Sequence, residues 1–62
     1  MCEAAAYIVK DGKEELLLQD VDLIEPDGED LRLVSIFGEQ KTVKAVIHSL
    51  NLVDHKVILV EK

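Results

Sequence analysis

Aromatic side chains are almost missing from this sequence: one tyrosine, one phenylalanine and no tryptophan in 62 residues. Single-stranded nucleic acid is held on aromatic stacking platforms, and two rings do not make one. Positive charge is scarce as well. Seven Lys and Arg against 13 Asp and Glu leave a formal net charge of −6, which repels a phosphate backbone instead of neutralising it. Nucleic-acid binding is therefore disfavoured. The single cysteine cannot close an intramolecular disulfide. No apolar run approaches the ~18 residues of a membrane span, and no signal-peptide pattern opens the chain. The expectation is a cytoplasmic protein without a membrane partner, its thiol kept reduced. Catalytic patterns are missing too: no Ser-His-Asp order, no phosphate-cradling glycine loop, no CxxC or HExxH. The carboxylates lie mainly in turns and on polar strand faces, where no general acid–base pair stands out. An enzyme is not expected.

What is abundant is apolar surface. Hydrophobic residues make up 48% of the chain, yet a domain this short buries only roughly 60% of the surface its unfolded state exposes. Part of that apolar material is expected to lie between two copies of the chain.

The pattern is that of strands. Glu3 to Lys10 begins with three alanines, which favour helix by propensity. It ends in Tyr7-Ile8-Val9, followed by the hairpin signal Asp11-Gly12, so a first strand is expected. Glu14 to Glu25 alternates over a long stretch and reads as a bent strand or two strands with a bulge near Gln19-Asp20. Pro26-Asp27-Gly28-Glu29 closes it with a tight turn. Asp30 to Phe37 follows, with Leu31, Leu33, Ser35 and Phe37 on one side. Lys41 to Ser49 alternates again, with Val43, Ala45 and Ile47 inward. Leu50 to Asp54 is a short connection, with room for one turn of 3₁₀ helix, and His55 to Val60 is the last strand. Recurrent turn signals predict one domain over residues 1–62. It is an all-β meander of five or six strands, in a small SH3-like partly closed barrel that leaves few edges exposed.

Soft donors are few: Cys2, His48 and His55. Cys2 stands beside the N-terminal amine. If Met1 is removed, the amine and thiolate of Cys2 close a five-membered chelate ring. If Met1 is retained, its amine, the Cys2 amide nitrogen and the Cys2 thiolate offer two fused rings. Nickel(II) and copper(II) both accept such nitrogen and sulfur donors. One chain supplies too few of them, and a two-fold dimer would double the set.

The residues Met1-Cys2-Glu3-Ala4, Tyr7, Asp11-Gly12-Lys13-Glu14-Glu15-Leu16, Val21, Ile24-Glu25-Pro26, Leu31-Arg32-Leu33, Ile36-Phe37-Gly38-Glu39-Gln40 and Val53-Asp54-His55-Lys56 resemble the CooT family over essentially the whole chain. The Met-Cys opening and the Phe-Gly-Glu-Gln turn are the most specific parts of that likeness. The named member accompanies carbon monoxide dehydrogenase maturation and binds nickel, while many relatives carry an RNA-binding label. The resemblance implies an SH3-like homodimer that binds nickel(II) at its interface through Cys2, with the Met1 amine beside it. Glu3 would contribute through its main chain, and His55 matches a solvent-exposed histidine of the family. The implied partners are a second copy and a nickel enzyme or its maturation factors. Two other readings stand beside this one: a small RNA-binding barrel, and a structural dimerisation domain with an idle thiol.

Overall fold

The computed structural model of the chain describes residues 4–62. Six strands form one sheet: β1 (Ala4–Lys10), β2 (Lys13–Asp27), β3 (Asp30–Ser35), β4 (Gln40–Val43), β5 (Ala45–Asn51) and β6 (Lys56–Glu61). The described residues include no helix. The first four strands run as an antiparallel meander, and the sheet order is β4-β3-β2-β1-β6-β5. The chain therefore leaves the meander at Lys44, crosses to the opposite edge, and returns as the β5–β6 hairpin. β6 lies parallel to β1, with Ala5 beside Lys56 and Val9 beside Val60.

That parallel pair departs from a simple meander, and its cause is in the residues. Val57, Ile58, Leu59 and Val60 form a continuous apolar run, which suits an interior strand covered on both faces better than an edge. Lys44 is where one alternating segment becomes two strands. Its carbonyl accepts a hydrogen bond from the Lys62 backbone N–H at 3.2 Å. No ladder joins β4 to β5, so the sheet is not closed into a barrel.

The long β2 is bent where a bulge is expected. Its register with β1 slips between Val21 and Leu16, and Asp20 has a φ of 56°, a left-handed conformation that aspartate tolerates better than most residues. The bend lets one strand pair with β1 through its first half and with β3 through its second. Ala6, Ile8, Leu18, Val21, Leu33, Ala45, Val57 and Leu59 then form one buried core.

β3 stops at Ser35, two residues short of the expected end, because Ser35 builds the turn that follows. Its buried Oγ accepts hydrogen bonds from the N–H groups of Phe37 (3.1 Å) and Glu39 (3.2 Å). Gly38, at a φ of 86°, completes the reversal. Phe37 consequently does not continue the buried row of Leu33 and Ser35 but stands 73% exposed.

Candidate metal centre

Three of the four expected ligands, Met1, Cys2 and Glu3, lie outside the described residues. What the structure does define is the end of the sheet into which they lead. Ala4 pairs with Val21 of β2, and the Ala5 N–H donates to the His55 carbonyl at 2.9 Å. The N-terminal strand thus enters the sheet between the β2 bulge and the turn that precedes β6. Small side chains permit this: Ala6 is fully buried, and Ala4 packs against the core.

The turn beside Ala5 is built by one residue. Asn51 Oδ1 accepts from the backbone N–H groups of Val53 (3.1 Å) and Asp54 (3.0 Å), and Asn51 Nδ2 donates to Asp54 Oδ2 (3.1 Å). This is the local pairing by which asparagine replaces a backbone turn partner. His55 follows at a φ of 52°, which turns its carbonyl toward Ala5. The histidine backbone therefore borders the N-terminal strand, and its side chain is exposed.

Lys56 secures the same corner. Its Nζ lies 2.6 Å from Glu14 Oε1 and 4.7 Å from the centre of the Tyr7 ring, so one ammonium joins β6 to both β1 and β2. The hydrogen bond to Glu14 raises its pKa above the ordinary lysine value, more than desolvation lowers it.

His48 occupies the irregularity in β5 where the register with β6 slips between Ile47 and Ser49, and it too is exposed. Among the described residues no three His, Cys, Asp or Glu side chains gather into a metal-holding group, and no cavity opens. A thiolate with adjacent nitrogen atoms, the donor set expected at Met1 and Cys2, suits nickel(II) or copper(II). A turn at Asn51 is expected from the sequence, but the side-chain hydrogen bonds that build it are not. Its signal is an Asn three residues before an Asp, next to a strand.

The comparisons agree with this architecture. The family model described as CO dehydrogenase accessory protein CooT matches residues 1–60. The crystal structure assigned to CooT from Carboxydothermus hydrogenoformans superposes with a TM-score of 0.91 at 49% sequence identity, covering 98% of each chain. No curated protein matches. The fold described above is thus that of a small β protein of the CO dehydrogenase accessory class. The chain belongs to the CooT family.

Proposed function

We propose that this protein is a cytoplasmic, nickel(II)-binding homodimer of the metallochaperone type. It would serve the maturation of carbon monoxide dehydrogenase and hold its metal at the dimer interface through Cys2. The observation that carries the reading is the CooT match across residues 1–60, a span that includes the chain's only cysteine. The Cys2 thiolate is the principal ligand. The nitrogen donor is the Met1 amine or the Cys2 main-chain nitrogen, with Glu3 contributing through its backbone and His55 standing at the border of the site. Bound nickel would supply a cargo to be handed on, not a catalytic step.

The chain's own part is to keep the thiol in place and let it lose its proton. Ala4 stands two peptide units from Cys2, a reach of about 7 Å, and β1 is tied at Ala5 to His55. Two copies arranged about a two-fold axis would bring two such donor sets to one ion. A nickel titration followed by absorption spectroscopy tests this. The wild-type protein should develop thiolate-to-nickel charge-transfer bands, and Cys2→Ser should show none. Equal nickel uptake by the variant would remove Cys2 from the site and end the proposal.

A further inference from the structure

The turn between β3 and β4, residues 36–39, is a part of the described surface that neither the core nor the proposed metal site employs. Five hydrogen bonds hold it. Ser35 Oγ accepts from the N–H groups of Phe37 and Glu39. The Ser35 N–H donates to the Glu39 carbonyl at 2.8 Å, the Gly38 N–H to the Ser35 carbonyl at 3.0 Å, and the Ile36 N–H to the Asp20 carbonyl at 2.8 Å. Each of these bonds is made by the backbone or by Ser35. The Phe37 ring takes no part in them, and a polar side chain would serve the turn equally well.

Yet the ring is 73% exposed, in a chain whose one other aromatic side chain is the half-buried Tyr7. A lone exposed leucine on a strand needs no explanation. A ring held in water on a backbone already ordered is different. Aromatic side chains are enriched at the cores of protein interfaces, and a preformed turn lowers the entropy lost on docking. Apolar surface continues beside it: Val34, the residue before Ser35, pairs with Leu23, which is 42% exposed.

Charge specifies what the ring meets. Asp20 and Asp22 flank Val21, the residue that pairs with Ser35, and Glu39 stands in the turn itself. Segments 19–22 and 35–40 hold these three carboxylates and no Lys or Arg. No ion pair among the described residues uses them. The cations on the neighbouring strands are engaged, since Lys41 Nζ donates to the Leu17 carbonyl at 2.9 Å and Arg32 pairs with Glu25. An apolar knob with anionic surroundings is complementary to an apolar pocket edged by Lys or Arg. It does not suit the same turn of a second copy, which carries the same sign.

We infer that the Phe37 turn is a docking point for a client enzyme: Phe37 enters an apolar pocket on nickel-free carbon monoxide dehydrogenase, and Asp20, Asp22 and Glu39 face Lys or Arg at the rim of that pocket. This inference rests on the accessory reading above and names the surface through which the protein would reach its client. The ring anchors the complex, and the carboxylates speed and orient the encounter.

The test uses the full chain and purified nickel-free carbon monoxide dehydrogenase of the same organism, with binding followed by biolayer interferometry at low and high salt. Wild type, Phe37→Ala, the pair Asp22→Asn/Glu39→Gln and the control Leu16→Ala are compared, with circular dichroism, sedimentation velocity and nickel uptake measured on each. Wild type and Leu16→Ala should bind the enzyme alike. Phe37→Ala should lose at least about tenfold in affinity, equivalent to 1.4 kcal/mol, with nickel uptake unchanged, and the amide pair should associate more slowly and with a weaker salt dependence. Equal binding by wild type and Phe37→Ala overturns the docking point, as does a wild type that does not bind at low salt; in either case nickel uptake that is lost in Cys2→Ser leaves the metal reading standing. Nickel uptake that survives Cys2→Ser fails that reading while the binding comparison still decides the docking point. A Phe37→Ala protein that sediments as a smaller species than wild type assigns the ring to a contact between copies and overturns the proposal. If Phe37→Ala loses the β fold, Glu39→Lys carries the test, since it keeps the ring and the turn's bonds: it should weaken binding, and unchanged binding contradicts the proposal.

Discussion

Cys2 and Asn51 carry different parts of the account. In the proposed site Cys2 would supply the chemistry: a free α-amine ordinarily titrates at about 7.7–8.0 and a thiol at about 8.5, so nickel would have to displace protons from both. Affinity should therefore fall steeply as pH drops below about 7, a trend that titrations between about pH 6 and 9 would follow. Lys56 does not confuse that profile. Its raised pKa means that its contribution to stability is complete below the ordinary lysine value of 10.5 and is lost only as pH rises through the folded value above it. The pH window of nickel binding and that of the Lys56–Glu14 pair do not overlap. Asn51 supplies geometry. Asn51→Ala should remove three hydrogen bonds from an exposed turn at a cost of about 1 kcal/mol, lowering the thermal midpoint by about 4–8 °C in a domain of this size. A midpoint unchanged from wild type would mean that the turn does not depend on its asparagine.

At the scale of elements, the core and its corners set stability. Leu33 is fully buried, and Leu33→Ala should cost about 2–5 kcal/mol through lost transfer energy and the cavity left behind, measurable by urea denaturation. Ser35→Ala leaves two turn N–H groups without their acceptor and should cost about 1–3 kcal/mol. Much of this was legible in the sequence. Asp11-Gly12 and Asp27-Gly28 marked the first two hairpins, and the bulge near Asp20 and the number of strands follow from alternation and turn signals. What was not legible was long-range. Nothing in the alternation from Lys41 to Ser49 shows that Lys44 parts two strands lying on opposite edges of the sheet, because alternation reports which side a residue faces and not which strand lies beside it. The parallel pairing of β6 with β1 escaped for the same reason, although the unbroken apolar run of Val57 to Val60 hints at an interior strand. The outward placement of Phe37 turned on Ser35, whose side chain competes locally with the ladder.

At the scale of the whole molecule, the candidate site was legible only as half a site. Cys2 beside an amine is readable chemistry, while the other half of the proposed shared site would come from a second copy, whose docking surface local sequence does not specify. If two copies share the proposed site, the metal would couple to assembly. Because nickel would bind only the folded dimer, saturating it should raise the thermal midpoint of the wild type, by about 2.7 kcal/mol of added stability at a hundredfold excess over Kd, and leave Cys2→Ser unmoved. The most direct test of the central claim is native mass spectrometry of the full chain with added nickel(II). The account predicts a dimer carrying one nickel ion. A monomer carrying its own ion, or a dimer whose ion survives Cys2→Ser, would contradict it.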